Sequence, residues 1–111
     1  MELSVTTSHH DDVSVVTVEG EVDVYTAAQL RQTLDQEIAE GHTRLVVDLD
    51  AVSFLDSTGL GVLVGRLKTV RNSSGWLRIV CTSDRILRVF RITGLDKVFG
   101  IHGTLDDALA A

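Results

Sequence analysis

The residues most able to do chemistry lie in the run Asp56-Ser57-Thr58-Gly59-Leu60-Gly61, two hydroxyls beside one carboxylate. Leu60, Leu63, Val64 and Leu67 follow at helical spacing, so the run stands where a chain segment enters a helix. Two roles suit it there. Asp56 or Ser57 can cap the helix by accepting backbone N–H groups. Alternatively, a hydroxyl displayed at the helix N-terminus can accept a phosphate, which the positive end of the helix dipole tolerates. Such a group adds about −1.5 to −2 charge. Glu21 and Asp23 fall in a loop after an earlier strand and can share that edge, so a phosphate would deepen an acidic surface.

Catalytic readings have less behind them. Ser57 has no Gly-x-Ser-x-Gly frame. Gly59, Gly61 and Gly65 miss the spacing of a dinucleotide loop, and no Gly-Lys-Ser/Thr follows. A small nucleotide-binding or hydrolytic enzyme using Asp23, Asp56 and Ser57 would lack both a base and a phosphate-loop lysine. His9, His10, His42 and His102 show no metal-ligand spacing and read as surface or turn residues. Cys81 ends an apolar strand and reads as core. No catalytic residue, metal or cofactor is expected.

The surrounding elements read in the order ββαβαβα, then a short strand and helix. Leu3, Val5 and Thr7 alternate as a half-buried strand, and His9-His10-Asp11-Asp12 reads as a polar turn before the β-branched strand Val13–Val18. Thr26 to Gln29 has capping-box form ahead of a helix face of Ala27, Leu30, Leu34 and Ile38, which Gly41 stops. Leu45–Leu49 is apolar enough for a strand covered on both faces. Trp76–Cys81 is a strand. Ser83 or Asp84 caps a helix carrying Ile86, Val89 and Phe90, and Gly94 closes it. Val98-Phe99 reads as the last strand, and Thr104 to Asp107 as a second capping box. Alternating strands and helices imply parallel pairing, hence one α/β domain over residues 1–111 with a mixed sheet. Val46, Val47, Leu49, Leu60, Leu63, Leu67, Ile79 and Phe90 are the expected core.

Composition narrows the class. Of 111 residues, 44% are hydrophobic, enough for a packed core. The net charge of −6 argues against direct nucleic-acid binding. The charge is uneven. Residues 1–65 hold 12 acidic and 2 basic side chains, whereas residues 66–91 hold Arg66, Lys68, Arg71, Arg78, Arg85, Arg88 and Arg91 against Asp84 alone. That basic window reads mainly as solvated helix faces around a strand. No apolar run approaches the ~20 residues of a membrane span. The N-terminus lacks signal-peptide character, and a single cysteine suits a reducing compartment.

Beyond these readings, the chain resembles a known family. Gly20-Glu21-Val22-Asp23 followed by Thr26-Ala27, the segment from Leu45 through Asp56-Ser57-Thr58-Gly59-Leu60-Gly61 to Leu63, and Phe90-Arg91-Ile92-Thr93-Gly94-Leu95 resemble successive stretches of STAS domains. The likeness is closer to stand-alone bacterial anti-sigma factor antagonists than to the STAS tails of anion transporters. It implies a mixed sheet with helices packed mainly on one side. It also implies a cytoplasmic partner-switching protein with no catalysis of its own, monomeric or weakly dimeric when free. In that scheme the unphosphorylated form binds an anti-sigma factor that is also a serine kinase, and so frees a sigma factor. Phosphorylation at Ser57 ends the binding, and a PP2C-like phosphatase restores it. Thr58, where many relatives have a second Ser, keeps a second hydroxyl. Glu21, Asp23, Thr26, Asp56, Ser57, Thr58, Gly59, Leu60 and Gly61 form the expected partner surface. The alternative role within the same fold is a STAS subunit of a larger sensory or lipid-transport assembly.

Overall fold

The computed structural model describes residues 2–111. Five strands form one sheet in the order β1 (Leu3–His10), β2 (Val13–Val22), β3 (Arg44–Leu55), β4 (Trp76–Val80) and β5 (Gly100–His102). β1 and β2 are antiparallel, and every later pairing is parallel. The connections carry α1 (Ala27–Ala39), α2 (Ser57–Asn72) and α3 (Asp84–Ile92), and α4 (Leu105–Ala110) ends the chain. The mixed α/β sheet inferred from the strand–helix alternation is therefore observed.

Alternation along the strands sorts side chains to the two faces. Val16, Val18, Leu45, Val47, Leu49, Leu77 and Ile79 pack with Leu30 and Leu34 of α1, Leu63 and Leu67 of α2, and Ile86 and Phe90 of α3. Val13, Val15, Val46 and Val80 turn the other way and pack with Ala108, Leu105 and Leu109 of α4 and with Trp76 of β4. Three helices thus share one face, as the resemblance implied, and one short helix covers part of the other. All eight expected core residues are buried, with Val46 in the smaller cluster.

Three local expectations need correction. The hairpin turn is only Asp11-Asp12, because His9 and His10 pair with Ser14 and Val13 inside the β1–β2 ladder; Asp11 makes the reversal at positive φ. β3 runs on to Leu55, well past its apolar stretch. Its pairing with β4 ends at Asp48, whereas its pairing with β2 continues to Val22↔Leu55. The last strand is Gly100–His102, not Val98-Phe99. A 3-10 turn over Leu95–Lys97 takes up the chain first, and Phe99 is buried edge-on against Phe90, with ring centroids 5.8 Å apart.

Candidate functional site

The long β3 projects its end beyond β4 and passes directly into α2. Val22 and Leu55 are register partners, and the Asp56 N–H donates to the Val22 carbonyl at 3.2 Å. The β2–α1 loop therefore runs beside the start of α2, which brings Glu21, Asp23 and Thr26 to the same edge as Asp56 and Ser57.

Asp56 is the N-cap of α2. Its backbone is extended, and its Oδ1 accepts the N–H groups of Thr58 at 2.9 Å and Gly59 at 3.1 Å. Of the two capping candidates, the carboxylate has taken the role. Ser57 and Thr58 are exposed, and neither hydroxyl makes a hydrogen bond among the described residues. Gly59 is buried, and a Cβ there would stand 2.6 Å from both Leu55 Cδ1 and Val22 Cγ1, so only glycine lets the helix start sit this close to the two strand ends. Leu60 is buried and anchors the first turn, while Gly61 is exposed with open space around it.

The β2–α1 loop is held by its own side chains. Asp23 Oδ1 accepts the N–H groups of Tyr25 at 2.8 Å and Thr26 at 2.9 Å. The Thr26 hydroxyl donates to the Glu21 carbonyl at 2.7 Å and accepts the Asp23 N–H at 2.9 Å. The Thr26 N–H is the main influence keeping the Asp23 carboxyl below the ordinary carboxylate range; partial burial opposes it, and the Tyr25 N–H assists. This replaces the expected capping box. Thr26 makes no side-chain cap bond, and the Gln29 amide reaches the Leu3 carbonyl at 3.0 Å instead. A Thr cap does form at α4, where the Thr104 hydroxyl accepts the Asp107 N–H at 3.1 Å.

Hydrophobicity and helical period did not mark the apolar part of this surface. Tyr25 is 88% exposed and Val24 63%, and Phe54, the register partner of Glu21, is 45% exposed. Their signal in the sequence was a large apolar residue at a loop or strand end with no periodic partners. The edge thus combines three apolar side chains, an acidic rim of Glu21, Asp23 and Asp56, and free hydroxyls at the positive end of a 16-residue helix.

Four side chains of the basic window find partners on separate elements. Arg66 pairs with Asp35 of α1 at 3.2 Å. Arg71 donates to the Val98 carbonyl, and Arg85 reaches the Ser53 carbonyl. Arg78 lies on the α4 face, 3.5 Å above the Trp76 ring, and donates to the Ala108 carbonyl. Cys81 is buried, and burial pushes its thiol pKa up, which suits a core role. At the other end of the sheet, two histidines that show no metal-ligand spacing along the chain come together in space. There His9 and His42 both contact Glu37, with all three ligand atoms within 4.8 Å of one another. Separation in sequence hid this cluster, since His9 and Glu37 are 28 positions apart.

Comparison with known proteins agrees with this architecture. Residues 4–108 match the STAS domain. The anti-sigma-B factor antagonist of Staphylococcus aureus is 40% identical over 102 residues, 92% of this chain and 94% of that protein. The crystal structure of an anti-sigma factor antagonist from Mycobacterium paratuberculosis superposes with a TM-score of 0.91 at 38% identity, covering 98% of this chain and 92% of that one. The Bacillus protein SpoIIAA, solved in unphosphorylated and phosphorylated forms, shares the fold with a TM-score of 0.75 at 19% and 23% identity. Among the described residues, no helix is long and apolar enough to cross a membrane. With the match spanning nearly the whole chain, the protein belongs to the STAS domain family.

Proposed function

We propose that this chain is an anti-sigma factor antagonist whose partner surface lies at the start of α2 and is switched off by phosphorylation of Ser57. The observation that carries this reading is a division of labour. Asp56 caps the helix, so the Ser57 hydroxyl is exposed and free of any structural duty. The Staphylococcus aureus relative, named for the same role, supports it. The partner is an anti-sigma factor with serine kinase activity, and a PP2C-like phosphatase reverses the mark in the cytoplasm. Tyr25, Val24 and Phe54 supply apolar contact. Glu21, Asp23, Thr26, Asp56, Thr58, Gly59, Leu60 and Gly61 frame it. The chain itself is not an enzyme.

The electrostatics explain why a phosphate here acts on binding. The N–H groups of Thr58 and Gly59 are already engaged by Asp56, so a phosphate on Ser57 cannot settle into them without displacing the cap. It stays displayed beside a carboxylate. A partner closing over this edge must then bury a dianion, which costs several kcal/mol even after relaxation, and each ~1.4 kcal/mol is tenfold in affinity.

The test is treatment with ATP and a cognate anti-sigma kinase, then intact mass and peptide mapping. A single phosphate on Ser57, absent from Ser57→Ala, is expected. Phosphate mainly on Thr58, or on neither residue, would refute the assignment.

A further inference from the structure

At the opposite end of the sheet, roughly 25 Å along β2 from the Ser57 edge at strand rise, three side chains converge. His9 belongs to the last turnward residues of β1 and is the cross-strand partner of Ser14. Glu37 lies in the last turn of α1, buried to 7% exposure. His42 follows Gly41 in the α1–β3 connection. The His9 Nε2–H donates to Glu37 Oε1 at 2.8 Å, the His42 Nδ1–H donates to the same oxygen at 3.1 Å, and the two imidazole centroids are 5.0 Å apart.

The backbone holds this arrangement. Gly41 sits at φ +88°, where a side chain would be strained, and closes α1 with a paired C-terminal turn. The His42 N–H donates to the Glu37 carbonyl at 2.9 Å and the Gly41 N–H to the Ile38 carbonyl at 3.0 Å. That turn places the His42 ring under the Glu37 carboxylate. The Ser14 hydroxyl is fully buried beside the same carboxylate yet has no well-formed hydrogen bond of its own. Burial pushes the Glu37 pKa up, but the Ser14 hydroxyl, the His9 hydrogen bond and the charges of His9 and His42 outweigh it. The carboxylate is therefore held in the charged form.

We infer that His9, Glu37 and His42 form a zinc site. Two imidazole nitrogens and one carboxylate oxygen are an ordinary donor set for this ion, which binds them at about 2.0–2.2 Å and leaves a fourth position to water. Tetrahedral ligands at those lengths stand about 3.3 Å apart. The two histidine–glutamate separations need open by a few tenths of an ångström, and the two ring nitrogens, within 4.8 Å of one another, must close toward the same length, which the half-exposed histidines are free to do. The ion takes the place of the two imidazole N–H protons that face Glu37, which pass to the far ring nitrogens or to solvent, and it clamps the β1–β2 turn onto the C-terminal end of α1. His10, next in sequence, points to the other face and bonds Ser8, so it takes no part.

The experiment is titration of zinc alone into tag-free, chelator-stripped full chain above the ordinary histidine pKa, in competition with a chromophoric chelator. One zinc per chain is expected. Losing a supporting second-sphere partner costs about 10–100-fold in metal affinity, so losing a ligand should cost about 100-fold or more. His9→Gln and His42→Gln should each show that loss, with His10→Gln unchanged and circular dichroism reporting the fold of every variant. Zinc should also raise the melting temperature of the natural chain but not of His9→Gln. No saturable binding at one equivalent, or binding indifferent to His9→Gln, or lost equally in His10→Gln, would overturn the site. Because Ser57 lies at the far end, its phosphorylation should not depend on zinc.

Discussion

At the end of β3 the group that serves the fold and the group free to react are different side chains: Asp56 holds the first turn of α2, and Ser57 beside it holds nothing. At the other end of the sheet one carboxylate does everything, since Glu37 is buried, accepts both histidines and closes α1 against the hairpin. A modification at Ser57 can therefore change the surface while leaving the structure intact, whereas any change at Glu37 alters both. A switch residue is best placed where a neighbour has already satisfied the backbone.

Substitutions probe this contrast in order of expected size. Leu63→Ala, on the fully buried face of α2, should cost roughly 2–5 kcal/mol in denaturant titration. A cost near zero would mean α2 does not anchor the edge it presents. Glu37→Ala should cost about 1–3 kcal/mol, because it removes the charged acceptor that both histidine N–H groups share. Asp56→Ala should cost about 0.5–2 kcal/mol through loss of the cap. Ser57→Ala should cost almost nothing by the same titration. A Ser57→Ala cost equal to that of Asp56→Ala would erase the distinction between the two side chains.

A further effect is expected on the acid side. Asp23 has its folded pKa depressed by the Thr26 and Tyr25 N–H groups. The folded state thus binds fewer protons there, so this contribution to stability is complete above the ordinary carboxylate range and is lost as pH falls through the lower, folded value. Asp23→Asn should flatten that part of the stability–pH curve, and an unchanged slope would mean the loop carboxylate is not held as described.

How much of this could be read from the residues alone follows from the range of each signal. Ser57 at a helix start was legible because a carboxylate, two hydroxyls, glycine and an apolar period are all local. The core faces were legible for the same reason. The spacing of Thr26 from Gln29 fits a cap. The structure instead spends Thr26 on the Glu21 carbonyl and Gln29 on the Leu3 carbonyl, choices set by the neighbouring strand. The end of β3 ran past its apolar stretch because β2 alone pairs with it there. The His9–Glu37–His42 cluster needed strand register and a helix end together, which no local pattern carries. Tyr25 and Phe54 carry no such signal, because an isolated apolar residue has no period to announce it.

The most direct measurement takes Ser57→Asp through a thermal melt and a titration with the anti-sigma kinase on the same preparation. A charge at the first turn gains about 0.3–1 kcal/mol from the helix dipole, and repulsion from Asp56 at surface dielectric offsets a comparable amount. Melting should therefore match the natural chain while kinase binding is lost, and Ser57→Ala should bind and remain bound in the presence of ATP. Loss of binding that appears only together with loss of the folded state would contradict the surface switch.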